Sequence, residues 1–69
     1  MALTLKAWRR AKGLSQAKMA EELKVHVNTY INWENEPNKI SIGNAIKICD
    51  VLKESFDDVI FLPDNATEV

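Results

Sequence analysis

Cysteine is nearly absent from this chain, since Cys49 is the one cysteine among 69 residues. A single thiol cannot form an intramolecular disulfide, and a chain this short buries only about 60% of its unfolded surface. Its stability therefore rests on one small core. A lone cysteine, together with an N-terminus that lacks the apolar run of a secretory signal, favours a reducing compartment, and we expect a cytoplasmic protein.

Long apolar runs and clustered reactive groups are lacking as well. No stretch approaches the ~20 apolar residues of a membrane span, so no membrane partner is expected. With one histidine and one cysteine, a metal centre or an activated nucleophile is not expected. The sequence thus predicts no enzymatic activity, no cofactor and no small-molecule ligand. Cys49, on an apolar helix face, is interpreted as a small core residue.

The chain also lacks the excess of basic charge that many nucleic-acid-binding domains carry, because its formal net charge is −1. The distribution is uneven, however. Residues 1–24 hold six basic and two acidic side chains, a net charge of +4, whereas residues 25–69 hold three basic and eight acidic ones, a net charge of −5. A basic N-terminal third is compatible with a polyanionic partner, and ordinary solvated charge is the alternative interpretation.

Polar caps and helix-ending residues divide the chain into five predicted helices. Their approximate bounds are Leu5–Lys12, Gln16–Leu23, Val27–Asn35, Ile42–Leu52 and Phe56–Phe61, with Thr4, Ser15, Ser41 and Ser55 as caps. The predicted inward stripes are Leu5, Trp8 and Ala11; Ala17, Met19, Ala20 and Leu23; Tyr30 and Trp33; and Ile42, Ala45, Ile46, Cys49 and Leu52. No segment shows sustained strand alternation. We therefore expect an all-α, compact five-helix bundle in residues 1–62, followed by a flexible C-terminal tail at residues 63–69.

The most informative segment is LSQAKMAEELKVHVNTYINWE, residues 14–34, which is typical of two short helices joined by a tight turn. The second of these helices is apolar on the side of Tyr30 and Trp33 and polar on the side of His26, Asn28 and Asn32. A short helix that is supported from behind and presents amides outward is suited to reading base edges in the DNA major groove.

This pattern resembles the phage repressor and Cro type of helix-turn-helix protein, the lambda-repressor-like or XRE family. The resemblance covers roughly residues 5–61, and its most specific positions are Leu14, Ser15, Gln16, Ala20, Leu23, Val25, Trp33 and Glu34. It implies a helix-turn-helix in helices two and three and a DNA-binding function. One departure is Lys24, which stands where the family usually has glycine. A non-glycine residue in a left-handed conformation costs about 1–2 kcal/mol.

The resemblance also implies which residues contact DNA. The base-reading residues would be His26, Val27, Asn28 and Asn32, because asparagine pairs with adenine N6 and N7 and valine can touch a thymine methyl group. The phosphate contacts would be Gln16, Thr29, Asn35, Asn38, Lys39, Ser41 and Arg9, with Lys6 and Arg10 as outer contacts. The alternatives are plain solvent exposure for the asparagines and a helix-capping role for His26. Ile31 fits neither the inward face nor the reading face.

Arg9 and Glu34 are expected to form a salt bridge that holds helix three against helix one, because the family often pairs an arginine of helix one with a glutamate that ends helix three. A C-terminal apolar run is the expected dimer interface: Val59, Ile60, Phe61, Leu62 and Pro63. The alternative is that Phe61 and Leu62 simply close the core.

Two functions remain open at this point. The first is a sequence-specific regulator of transcription, a repressor from a phage or bacterium, that binds a palindromic double-stranded DNA operator as a homodimer. The second is a protein-interaction module, or an antitoxin-like accessory regulator, that keeps the fold without strong specific DNA binding. Met1 and the short members of the family favour a complete protein rather than a fragment.

Overall fold

The computed structural model describes residues 1–63, which form four α-helices, two short 3-10 turns and two very short strands. In chain order these are β1 (Leu3–Thr4), α1 (Leu5–Ala11), α2 (Gln16–Leu23), α3 (Val27–Asn35), a 3-10 turn (Pro37–Lys39), α4 (Ile42–Leu52), a second 3-10 turn (Phe56–Asp58) and β2 (Val59–Ile60). The predicted tail, apart from Pro63, lies outside the described residues. Within residues 1–63, each helix is too short or too polar to cross a bilayer.

Hydroxyl side chains cap three of the four helices, as the sequence predicted. Thr4, Ser15 and Ser41 each accept a hydrogen bond from the backbone amide three residues later, at 3.2, 3.0 and 3.2 Å. These contacts satisfy amide groups that have no partner inside the helix. The starts of α1, α2 and α4 are therefore fixed by local chemistry.

The predicted fifth helix is wrong. Ser55 accepts a hydrogen bond from the amide of Asp57 at 3.3 Å, but the segment makes only one 3-10 turn. The chain then becomes extended, and β2 pairs in parallel with β1, so that Leu3 lies beside Val59 and Thr4 beside Ile60. Val59 and Ile60 are β-branched, which favours extended backbone. Strands of two residues are too short to leave an alternating pattern in the sequence.

The core is formed by side chains from every helix and from β2. The fully buried large residues are Leu5, Met19, Tyr30, Ile48 and Leu52, and Ala20, Ala45, Cys49 and Val59 are buried around them. Trp8 and Trp33 are half-buried and pack against this cluster. The Trp8 indole Nε1 donates to the carbonyl oxygen of Asp58 at 2.7 Å, which ties α1 to the second 3-10 turn.

Four of the predicted inward residues are exposed instead: Ala11, Ala17, Ile42 and Ile46. In α4 the buried stripe runs through Ala45, Ile48, Cys49 and Leu52, so Ile42 and Ile46 lie outside it. This helix carries apolar residues on both sides, and periodicity alone does not distinguish the two faces. Ala11 ends a helix of only seven residues, and alanine has too little apolar surface to fix the orientation of a helix.

Candidate nucleic-acid interface

A three-residue connection, residues 24–26, joins α2 to α3, and its geometry depends on Lys24. Lys24 adopts the left-handed conformation with φ 59° and ψ 41°. Its amide donates to the carbonyl of Glu21 at 3.1 Å, and the amide of Val25 donates to the carbonyl of Ala20 at 3.0 Å. The backbone thus forms the sharp turn of a helix-turn-helix without glycine, at a cost of about 1–2 kcal/mol.

A buried carboxylate holds α3 to both preceding helices. The Arg9 guanidinium on α1 donates from Nε to Glu34 Oε2 at 2.5 Å and from Nη2 to Oε1 at 3.4 Å. Gln16, the first residue of α2, donates from Nε2 to Glu34 Oε1 at 3.0 Å. The ion pair expected between Arg9 and Glu34 is therefore present. The hydrogen bond from Gln16 adds a second contact to the same carboxylate.

The charges in this network stabilise each other. Burial by itself would raise the pKa of Glu34, but the hydrogen bonds that the carboxylate accepts and the charge of Arg9 outweigh it and hold that pKa below its ordinary value. Burial opposes the charge of Arg9 as well, and Glu34 reverses the effect, so the pKa of Arg9 is raised. Both groups are ionised at neutral pH.

Tyr30 fills the space behind this carboxylate and is completely buried. Burial is the largest cause, and together with the neighbouring Glu34 carboxylate it raises the pKa of the Tyr30 hydroxyl well above the ordinary range. Its Oη makes no hydrogen bond to any residue in the described part of the chain. The ring of Tyr30 meets the ring of Trp33 edge to face, with centroids 6.5 Å apart. The inner side of α3 is thus anchored by an aromatic pair and an ion pair.

The outer side of α3 is a continuous polar surface. Asn28, Thr29, Asn32 and Asn35 are exposed. Val27 and Ile31 lie half-buried along one edge of this surface. We call the six residues of α3 other than Tyr30, Trp33 and Glu34 the reading surface: Val27, Asn28, Thr29, Ile31, Asn32 and Asn35. Side chains on such a surface have room to approach base edges and phosphates.

His26 caps α3 rather than standing within it. Its Nδ1 accepts a hydrogen bond from the amide of Asn28 at 3.1 Å, and the ring is exposed. This geometry uses one ring nitrogen for the cap and leaves Nε2 directed away from that bond. The capping alternative is therefore present in the structure, and it is compatible with a DNA contact through the other nitrogen.

A second group of predicted contacts lies on the connection between α3 and α4. Asn38, Lys39 and Ser41 are all exposed. The ammonium of Lys39 lies 3.1 Å from the carboxylate of Glu36. Because both side chains are largely exposed, this ion pair is weak, and Lys39 can exchange it for a phosphate. Lys6 is half-buried and Arg10 is exposed on α1.

The structure corrects two of the predicted site residues. Arg9 is buried, and its remaining Nη1 donates to the carbonyl of Leu14 at 2.7 Å, so its guanidinium is committed inside the protein and cannot serve a phosphate without breaking the network. Val59 is buried in the core and paired in β2, which removes it from the predicted dimer interface. In that interface Ile60, Phe61 and Pro63 are half-buried and Leu62 is 48% exposed.

Sequence reasoning missed two exposed apolar positions on α4. Ile42 is 73% exposed and Ile46 is 51% exposed, one helical turn apart. The signal available was the excess of apolar residues in SIGNAIKICDVL, more than one buried face needs. Among the described residues, no group of three or more histidine, cysteine, aspartate or glutamate side chains could hold a metal ion.

Comparison with known protein families matches residues 5–59 to the family described as helix-turn-helix. The match runs from the first residue of α1 to the first residue of β2, and it includes α2, the Lys24 turn and α3. No curated protein and no solved structure matches the chain.

Proposed function

Because the chain belongs to the XRE-type helix-turn-helix family of DNA-binding regulators, we propose that it is a transcriptional repressor that reads a specific duplex sequence with α3. The observation that supports this proposal best is that α3 has a buried, anchored face and, opposite to it, an exposed polar face. The inner face is immobilised by Tyr30, Trp33 and Glu34, and the outer face presents exposed amides. A rigid helix with free amide groups has the properties needed for direct readout.

In this proposal the reading surface enters the major groove. Asn28 and Asn32 contact base edges, Val27 touches a thymine methyl group, and His26 donates from Nε2. The proposed phosphate contacts are Gln16, Thr29, Asn35, Asn38, Lys39 and Ser41. Gln16 has a second amide hydrogen besides the one on Glu34, so it can hold the carboxylate and a phosphate together.

The proposed assembly is a homodimer on a palindromic operator, since one reading helix covers only a few base pairs. Two such helices would bind half-sites about 34 Å apart, one turn of DNA. The C-terminal segment Ile60–Pro63 is the proposed contact between protomers. This proposal is supported by the exposed side chain of Leu62. The neighbouring ring of Phe61 packs against the ring of Phe56, with centroids 5.6 Å apart, and Phe56 is 49% exposed.

A binding selection on random duplexes tests the proposal. We expect wild-type protein to enrich one motif, and we expect Asn28→Ala and Asn32→Ala to relax the preference at one position each. Asp50→Ala, an exposed polar residue of α4, serves as the control and should keep the motif. A motif unchanged in both asparagine variants would contradict readout by α3.

The protein-interaction module is the second candidate, and the observation that favours it is charge. The chain is net acidic, with a net charge of −1, whereas phosphate contacts dominate the affinity of most DNA-binding proteins. Absence of any enriched motif, even at low salt, would favour this candidate over the repressor.

A further inference from the structure

Helix α3 contains no lysine or arginine. From Val25 to Asn38 the sequence has no basic side chain except His26. The side chains that α3 offers outward are asparagine amides, one threonine and the half-buried apolar residues Val27 and Ile31. The outward side chains of α3 therefore favour some base pairs over others.

Each base pair presents a different pattern in the major groove. Guanine offers two acceptors, O6 and N7, and its commonest specific partner is arginine or lysine. Adenine offers an acceptor and a donor, N7 and N6, which match the amide of asparagine, and thymine offers a C5-methyl group that favours apolar contact. A helix of amides and apolar groups without cations therefore matches A·T pairs better than G·C pairs.

Ile31 is the residue of α3 that the helix-turn-helix pattern leaves unexplained. It is half-buried, yet it does not belong to the half-buried apolar residues that pack against the core, a group that includes Val27 and Trp33. It lies three residues after Asn28 and four before Asn35, which are both exposed. These spacings place it beside both amides on one helix surface.

We propose that Ile31 is a specificity-determining residue that contacts a thymine C5-methyl group, and that α3 reads a half-site of A·T pairs. Asn28 and Asn32 bind adenine N6 and N7, and Ile31 binds the methyl group of a thymine in the same run of pairs. This inference rests on the proposed function, because it names the class of duplex that the reading surface binds.

The DNA itself provides the sharpest test. Starting from the motif that the selection enriches, single thymines are replaced by uracil, which removes only the methyl group. We expect one replacement under α3 to weaken binding of wild-type protein about fourfold, the equivalent of about 0.8 kcal/mol for one buried methyl-sized group. Replacing single adenines by 7-deazaadenine removes N7, and we expect about a tenfold loss at each asparagine contact.

Variants of Ile31 then assign the methyl contact to this side chain. The Ile31→Ala variant should bind the thymine duplex more weakly than wild type does, and it should bind the thymine and uracil duplexes with equal affinity at the position that Ile31 contacts. Ile31→Val should keep part of the discrimination. Ile46→Ala, which shortens an exposed isoleucine of α4, is the matched control and should keep the full fourfold difference. Circular dichroism melting of each variant verifies that it is folded at the temperature of the binding assay.

The outcomes separate this inference from the proposed function. An enriched motif with G·C pairs under α3, affinity that no uracil replacement changes, or an Ile31→Ala variant that keeps every difference between thymine and uracil seen in wild type would overturn the inference. The protein would still remain a DNA-binding regulator. Absence of any motif would overturn the proposed function and the inference together.

Discussion

At the scale of single residues, one carboxylate determines how the reading surface is held. Glu34 on α3 accepts hydrogen bonds from Arg9 on α1 and from Gln16 on α2, so three helices meet at one buried charge. A buried pair contributes little compared with an apolar replacement of both partners, but removal of one partner leaves an uncompensated charge. The network therefore specifies the position of α3 more than it adds stability.

Replacement of Glu34 by alanine should destabilise the protein severely, because Arg9 would remain buried without its partner. We expect a loss of about 3–5 kcal/mol at the upper end, which lowers the Tm by roughly 10 °C or more in a domain of this size. Glu36→Ala removes only the exposed pair with Lys39 and should shift the Tm by no more than a few degrees. Thermal melting measures both, and equal melting temperatures would contradict the role of the buried pair.

The same carboxylate should make stability depend on pH. The pKa of Glu34 is lower in the folded protein than its ordinary value of 4.5, so the unfolded chain binds the proton more readily. The resulting stabilisation is fully present above about pH 5 and is lost as the pH falls through the folded pKa. Urea unfolding of wild type between pH 7 and pH 3 should show this decline. In Glu34→Gln the decline should be smaller, and an identical profile in both proteins would be evidence against the coupling.

At the scale of elements, the connection between α2 and α3 bears a backbone strain that the sequence indicated, because Lys24 stands where the family usually has glycine. Lys24 and Lys53 both have positive φ, 59° and 58°, in the left-handed region. Both end a helix, and their amides satisfy carbonyl groups of the last turn. Only Lys24 lies inside the helix-turn-helix. A comparison of the two lysines therefore distinguishes the effect of backbone strain on stability from any effect of this turn on DNA binding.

Lys24→Gly should stabilise the protein modestly. Relief of about 1–2 kcal/mol of strain exceeds the extra conformational entropy that glycine loses on folding, about 0.5–1 kcal/mol. We expect a small rise in Tm for Lys24→Gly and a similar rise for Lys53→Gly, the matched control. Lys24→Val should lower the Tm, because a β-branched residue fits this conformation poorly. A lower Tm in Lys24→Gly would mean that the lysine side chain makes a stabilising contact that outweighs the strain.

A hydroxyl cap before an apolar stripe predicted three of the four helices correctly, but the same signal was wrong after Ser55. Thr4, Ser15 and Ser41 mark the starts of α1, α2 and α4 through short-range hydrogen bonds that a sequence reveals. The segment after Ser55 carries the same signal, yet it forms β2, because pairing with β1 depends on residues more than fifty positions away. Likewise, the sequence shows that Gln16 opens α2, but its hydrogen bond to Glu34 depends on how the helices pack.

At the scale of the whole molecule, the uneven charge limits how DNA can be bound. The acidic segment, residues 25–69, includes Glu36 beside Lys39, so affinity must come from a few contacts rather than from a broad basic surface. Each neutralised phosphate steepens the dependence of binding on salt by about 0.9 in the logarithmic slope. The number of phosphates neutralised by lysine is therefore measurable, one lysine at a time.

Lys39→Ala should reduce that slope by about 0.9 and weaken binding to all sequences alike, since a phosphate contact carries no sequence information. Lys47→Ala on α4 removes the same charge from an exposed position outside the proposed contacts, so its slope should stay close to that of wild type. Fluorescence anisotropy at several salt concentrations measures both. Equal slopes in the two variants would remove Lys39 from the set of phosphate contacts.

The proposed homodimer can be tested through one exposed side chain. Leu62 and Ile42 are both exposed aliphatic residues, at 48% and 73%, but only Leu62 lies in the proposed interface. If that segment joins two protomers, Leu62→Lys should weaken dimerisation and lower the affinity for a palindromic duplex, because a charge in an apolar contact is costly. Ile42→Lys should leave both unchanged. Sedimentation at tens of micromolar, with and without the duplex, gives the mass of each protein, and a wild-type monomer under both conditions would contradict the dimer. Weakening by Ile42→Lys alone would instead move the interface to the exposed face of α4.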